Sequence, residues 1–445
     1  MLDEEPRWRN NKLTLCKLYL DKHSVSHPLC GPMEAGARRV TETRLIDDNC
    51  RLLSGDFLLH EDGSFSISKG HEDVLEEIEG QNRIITRSFQ NWHTHSAMVL
   101  NKSFGEGLPL LEWLETAIFP VEKNLTPEFV ELGTLAATAE MISTGTTFAC
   151  DMYYFPDVVA KSFAKSGIRA KVCGAVSDND DIYESELALK NIEELLFSGP
   201  PRPDRIEYGI GPHSIYSCDE ETLRKSSELS TKFNCDLSIH TSETRKEVSD
   251  CYEKHGMYPI EYLDSIDFLS ECTICAHCGW VTKKEMRILS RKGSHAVHCP
   301  TSNQKLACGG TLSYPAMKDA DVSVFLGTDG AASNNSLDMR SEAKTASLIQ
   351  KHDHWDASIL NPEETWKLAT NKSKDWITWD LDDIKLRPWG KDGSRLLSNL
   401  IYSGGNVLDV FVSGEAIRRN GSTLTINEEE IAIKLENTVE DYYDS

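Results

Sequence analysis

A chain of 445 residues, 39% apolar and 27% charged and without a low-complexity tract, can bury one large domain plus a smaller one, which excludes a disordered polypeptide. Its formal net charge of −24 is scattered rather than gathered into a tail; it repels phosphate backbones and anionic lipid and argues against nucleic-acid and membrane partners. No stretch reaches the roughly eighteen consecutive apolar residues of a membrane span, and the charged opening MLDEEPRWRNNK lacks the apolar core of an export signal, so the cytoplasm is the expected location.

In chain order, residues 1–88 read as short β-segments with turn signals such as Glu61-Asp-Gly, the first forty matching no recognisable pattern. From there to residue 372 short apolar runs alternate with longer amphipathic segments, the signature of parallel β/α units. The predicted strands are 83–91, 146–153, 170–177, 206–212, 235–239, 273–276, 294–298 and 322–326. Between them the pattern predicts helices over 126–143, opened by Thr-Pro, over 219–232, with acid in its first turn, and over 335–350, opened by Asn-Asn-Ser. Residues 373–445 return to short β-segments, for example 407–412 before Ser413-Gly. The expected architecture is α/β: a (β/α)8 barrel of the TIM type over 89–372, with a small composite β-domain made from the flanks 1–88 and 373–445. The thirteen cysteines read as free thiols in a reducing compartment.

The predicted strand ends carry polar residues in an apolar context: His93 and His95, Asp151, Asp178, His213, His240 with Glu243, His277, Ser302 with Asn303, and Asp329. In a β/α barrel these ends converge on one face, where active sites lie. Ordinary strand-ending turns predict Asn, Gly, Ser and Asp rather than a series of histidines. His93-Thr-His95 places two imidazoles on one side of an extended segment. The spacing alone is weak, because 14 histidines in 445 residues give about 0.4 chance H-x-H matches. A second match, His352-Asp-His354, lies at the solvated end of a predicted helix and receives no function. A hydrolytic divalent metal needs three or four protein ligands and an open position for water, and His240 and Asp329 are the natural third and fourth. Glu243, three residues past His240, suits a proton shuttle beside the metal water, and His277 can orient that water.

The segments Asn91-Trp-His-Thr-His95-Ser, His240-Thr-Ser-Glu243-Thr, Ala276-His277-Cys, His298-Cys-Pro-Thr-Ser-Asn303 and Gly327-Thr-Asp329-Gly resemble the amidohydrolase superfamily. Leu111-Glu-Trp113-Leu, Phe119-Pro-Val-Glu122 and Gly211-Pro-His213-Ser-Ile-Tyr216 are most similar to its methylthioadenosine/S-adenosylhomocysteine deaminase group. The resemblance covers residues 75–372 well and the C-terminal flank loosely. It implies one divalent ion held by His93, His95, His240 and Asp329, most commonly zinc, with iron, manganese or nickel as alternatives. Catalytic roles fall on Glu243, His277 and Asp329, and substrate contacts on Glu122 at the ribose hydroxyls, His213, and Glu243 at the purine. The implied reaction is hydrolytic deamination at C6 of an adenosine-type nucleoside by a chain that associates into a homo-oligomer. Guanine deamination or triazine amino- or chlorohydrolysis is the alternative on the same site, and a catalytically silent scaffold a more distant one. Three departures stand out. Thr86-Arg-Ser-Phe89 replaces the usual Pro-Gly-Phe. Val172-Cys-Gly-Ala lacks the arginine that grips a substrate carboxylate in relatives, which favours a neutral 5′ group. After Ala369-Thr-Asn-Lys the chain omits a stretch that usually leads into the flanking domain.

Overall fold

The computed structural model describes residues 36–178, 184–371, 373–390 and 393–443, so most of the unmatched first forty residues lie outside it. Eight parallel strands follow one another in chain order around a barrel: Phe89–Thr94, Thr146–Tyr153, Arg169–Val176, Ile206–Pro212, Leu237–Thr241, Thr273–His277, His295–His298 and Val324–Leu326. Thr146–Tyr153 is buried along its whole length, as expected of a parallel strand covered on both faces. Sequence signals start and stop the helices between the strands. Thr126 accepts the Phe129 N–H at the start of helix Pro127–Thr144, and Asp219 accepts that of Thr222 before helix Glu220–Phe233. The helix expected over 335–350 runs instead from Met339 to His354. Asn335, at φ 69°, closes the short helix Ala331–Asn334 in a left-handed conformation, and Asp338 opens the next by accepting the Arg340 N–H.

The seam between the last and first strands is closed by side chains and one backbone bond. The Asp329 N–H donates to the His93 carbonyl at 3.0 Å. Buried Asn91 accepts the Thr328 N–H at 3.0 Å and donates to the Thr328 hydroxyl at 2.7 Å. The backbones come so close here that a Cβ on Gly327 would lie 2.8–2.9 Å from His93 atoms.

A second, nine-stranded sheet is built from both ends of the chain. Its order is Ser422–Thr423, Glu415–Arg419, Val407–Val412, Trp376–Asp380, Arg83–Arg87, Arg38–Ile46, Leu52–Leu59 and Phe65–Ile67, with Glu76–Glu79 parallel to Arg38–Ile46. The N- and C-terminal parts meet where Arg83–Arg87 runs antiparallel to Trp376–Asp380. The strand expected over 83–91 is therefore two strands in different sheets. They part at Ser88, whose hydroxyl lies 2.6 Å from those of both Thr147 and Ser373, and whose N–H donates to the Asp375 carbonyl. Asp375 ties the sheet to the barrel: its carboxylate accepts from Thr147 and Arg169 of the barrel and from the Ser413 N–H of the sheet. Fully buried Arg205 adds bonds to the Gly167 and Val412 carbonyls.

Candidate active site

The C-terminal ends of the barrel strands bring His93, His95, His240, His277 and Asp329 together. His93 is wholly buried, with neither ring nitrogen hydrogen-bonded, and its Nε2 lies 3.5 Å from Asp329 Oδ1. His95 Nε2 is 3.1 Å from the same oxygen and 3.1 Å from His240 Nε2. His95 Nδ1 donates to the Met152 carbonyl at 2.6 Å, and His240 Nδ1 to the His213 carbonyl at 2.7 Å. Each carbonyl holds a proton on Nδ1, so the two Nε2 atoms turn toward one another and toward Asp329 Oδ1, and so close an approach is favourable only with a cation between them, a proton or a metal ion. That convergence, and the orphaned nitrogens of His93, are what a divalent ion bound by imidazole and carboxylate satisfies. The ligating atoms of His93, His240, His277 and Asp329 lie within 4.8 Å of one another. His277 thus stands in the cluster that the sequence assigned to His93, His95, His240 and Asp329.

The supporting contacts hold these side chains in place. Asp329 Oδ2 accepts from the Ser302 hydroxyl at 2.6 Å and the Ser333 hydroxyl at 2.9 Å, leaving Oδ1 to face the imidazoles. His277 Nδ1 donates to Asn303 Oδ1 at 2.8 Å, which turns its Nε2 inward. Asp329 (φ 61°), His277 (φ 71°) and Ser242 (φ 52°) all adopt left-handed backbone, a strain that clusters at functional sites. Burial pulls the His93 imidazole down to about 4, against the pull of Asp329. Burial and the neighbouring imidazoles hold His240 well below its ordinary value. Burial also works to lower His95, but the hydrogen bond and charge of Asp329 outweigh it and push that group up to about 9.

The cluster opens into a cavity. Met98, Leu110, Trp113, Leu114, Ile118 and Phe119 give it an apolar wall; Glu122, Tyr153, His213, Tyr216 and Glu243 line it with polar groups. Among the described lining residues there is no lysine or arginine. Glu243 is buried, its Oε1 3.8 Å from His277 Nδ1, and burial raises its pKa above the usual carboxylate range. Glu122, also buried, accepts the Tyr153 hydroxyl at 2.8 Å. His213 Nδ1 lies 2.9 Å from the Ser217 hydroxyl, and burial pulls the imidazole down to about 3.

Every residue assigned to metal, catalysis or substrate in the sequence thus borders one cavity or its floor. Two other strand-end residues do different work. Asp151 accepts the Ser96 N–H behind His95, and Asp178 accepts the Asp219 N–H and Thr222 hydroxyl at a helix start. His354 sits on the outer surface at the end of its helix, 3.3 Å from Ser313, and its neighbour His352 is exposed. Tyr153, Cys308 and Glu247 were missed by sequence reasoning because they contact other protein groups (the Glu122 and Glu243 carboxyls, and the Ser242 and Glu243 N–H groups) and belong to no spaced pattern. Two overlapping Cys-x-x-Cys spacings, Cys272–Cys275–Cys278, also escaped the sequence reading. Every cysteine among the described residues is a free thiol, and none joins the metal-type cluster.

Barrel, strand-end cluster and cavity together define a metal-dependent barrel hydrolase that uses a divalent ion. The sequence signature of the Amidohydrolase family matches residues 84–415. The chain belongs to that family. It is 35% identical over 431 residues to the 5′-deoxyadenosine deaminase of Methanopyrus kandleri, an alignment covering 91% of this chain and 97% of the relative. It is 37% identical over 374 residues to 5-methylthioadenosine/S-adenosylhomocysteine deaminase 1 of Archaeoglobus fulgidus, covering 80% and 87%. Among solved structures, a zinc-bound adenosine deaminase from Xanthomonas campestris superposes with a TM-score of 0.85 at 26% identity, covering 92% of this chain and 99% of that one. No helix among the described residues is long and apolar enough to cross a membrane.

Proposed function

We propose that this protein hydrolytically deaminates an adenosine-type nucleoside at C6, releasing ammonia. The carrying observation is the shared cavity: the His/Asp cluster, the buried carboxyl of Glu243 and the Tyr153-held carboxylate of Glu122 all face one space. His93, His95, His240 and Asp329 would hold the ion, with zinc the metal whose preference for imidazole and carboxylate this set fits. When bound, a divalent ion there supplies the acidified water that hydrolysis at neutral pH needs.

Glu243 takes a proton from the attacking water and delivers it to N1 of the ring, drawing electron density from C6. His277, fixed by Asn303, orients the water through Nε2. The C6–O bond forms, the C6–N6 bond breaks, and a second proton passing through Glu243 leaves with ammonia, giving the 6-oxo nucleoside. Glu122 accepts hydrogen bonds from the ribose hydroxyls, and His213 contacts the substrate from the cavity floor. A lining without lysine or arginine, in a chain of net charge −24, disfavours phosphate or carboxylate at the 5′ position and favours 5′-deoxy, hydroxyl or methylthio groups. The ribose-directed carboxylate also favours a nucleoside over guanine or a triazine, which have no ribose to hold.

The test is an ammonia-release panel over 5′-deoxyadenosine, methylthioadenosine, adenosine, S-adenosylhomocysteine, adenosine monophosphate, guanine and a chlorotriazine. The first three should be turned over fastest. Turnover of only guanine or the triazine would overturn the reading.

A further inference from the structure

Glu243 stands on a turn, Thr241 to Thr244, between the fifth barrel strand and helix Arg245–His255. Such a turn ordinarily leaves a side chain free to swing, and Ser242 is strained in left-handed backbone. Here the turn is gripped from below. Buried Glu247 accepts the Ser242 N–H at 2.7 Å through one carboxylate oxygen and the Glu243 N–H at 2.8 Å through the other. Glu247 is itself set by Thr244, which accepts its N–H at 3.1 Å. The Trp280 N–H donates to the Ser242 carbonyl at 3.0 Å, completing the grip.

The far end of the Glu243 side chain is held as well. The Cys308 thiol donates to Glu243 Oε1 at 3.5 Å, within range for sulfur. Cys308 is fixed on both sides: its N–H donates to the Asn303 carbonyl at 2.9 Å, and its own carbonyl accepts the Trp280 indole N–H at 3.1 Å. Burial and the adjacent carboxylate keep this thiol protonated, so it remains a donor. The segment that carries Asn303, the partner of His277, therefore also carries the partner of Glu243.

We infer that Glu247 and Cys308 are positioning residues for proton transfer: Glu247 fixes the backbone that carries Glu243, and Cys308 fixes the carboxyl oxygen. The inference rests on the proposed role of Glu243 as the shuttle. Neither residue touches the reacting atoms, so each acts on alignment, and loss of alignment lowers turnover more than binding.

The experiment uses the full-length metal-loaded protein with 5′-deoxyadenosine. Cys308→Ala removes the donor and should lower kcat about 5- to 10-fold with KM changed less than threefold; Cys308→Ser, which keeps a donor, should restore kcat to within about twofold of the parent. Glu247→Gln keeps one acceptor and should lower kcat about tenfold at unchanged metal content. A second readout needs no turnover: the affinity ratio between a 6-unsubstituted purine 5′-deoxyriboside and its 1-deaza counterpart, which lacks the N1 that Glu243 addresses. The parent should prefer the N1 form, and Cys308→Ala and Glu247→Gln should lose most of that preference. If both variants keep the parental kcat and the parental ratio, or change only thermal stability, the positioning roles are refuted. If the parent itself neither turns over an adenosine substrate nor discriminates the two analogues, the shuttle reading falls, and this inference with it.

Discussion

At the scale of single residues, the site divides between groups that the sequence announced and groups that only folding could assemble. His93, His95, His213, His240 and His277 stood out because histidine is an uncommon way to finish a strand, and Asp329 because it joins them as a further metal-type ligand at a strand end. Tyr153 and Cys308 carried no comparable signal, since each serves a side chain from a distant stretch of chain, and Glu247 reads as an ordinary helix glutamate although it holds the backbone N–H groups of Ser242 and Glu243. Glu243→Gln should retain metal while losing about 10²- to 10⁴-fold in kcat, checked by metal analysis beside an ammonia assay. His240→Ala should lose both. Glu122→Ala should raise KM for 5′-deoxyadenosine about tenfold or more while leaving KM for the free base adenine unchanged, measured by steady-state kinetics. The His95 imidazole gives a pH test. Its pKa in the folded apoprotein is raised to about 9 from an unfolded value near 6.5, so the stability its proton contributes is complete below about 6.5 and lost as pH rises through about 9. A cation entering the cluster must displace that proton. The His95 ring signals of the apoprotein, followed by NMR, should titrate with a midpoint near 9, and that titration should disappear once zinc is bound. A midpoint near 6.5 in the apoprotein would contradict the raised pKa.

At the scale of elements, the strands most visible in the sequence were those with long apolar runs, such as Thr146–Tyr153 and Ile206–Pro212, whose bounds match the structure residue for residue. The least visible boundary was at Ser88. Residues 83–91 are apolar enough to read as one strand, and nothing in their composition says that the pairing partners change there from Trp376–Asp380 to Thr146–Tyr153. Sheet membership depends on long-range pairing, which local pattern does not encode. The closing seam carries its own prediction. Gly327→Ala must push the eighth strand away from His93 or shift His93 itself, because the added methyl would meet backbone and Cβ atoms at under 3.0 Å. Both outcomes move Asp329 relative to the imidazoles. The variant should bind zinc at least tenfold more weakly and unfold at lower denaturant concentration, by about 1–3 kcal/mol. Metal affinity equal to that of the parent would show that the seam can relax without disturbing the site.

At the scale of the whole molecule, barrel and composite sheet are joined through buried polar contacts remote from the cavity. Asp375→Ala would strand Thr147, which is wholly buried, and a guanidinium on Arg169 that is about one-quarter exposed. Discounted for that exposure, the loss should cost about 2–4 kcal/mol of stability, read from denaturant midpoints, while kcat at low temperature stays within about threefold. A composite β-domain was legible because both flanks read as short β-segments; its strand order was not, because it depends on residues nearly three hundred positions apart.

The pairing of Arg83–Arg87 with Trp376–Asp380, in which the Trp379 indole donates to the Thr86 hydroxyl across 293 residues, also bears on biosynthesis. That strand leaves the ribosome with one edge bare and waits, at about 5–20 residues per second, roughly 15–60 s for its neighbour to be translated. Its arginines at each end, flanking Ile84, Ile85 and Thr86, are the kind of charge that keeps a bare edge from recruiting another nascent chain. Translation stopped before residue 376 would leave that edge permanently bare, making prematurely terminated chains clients for chaperones and proteases rather than partly active enzymes.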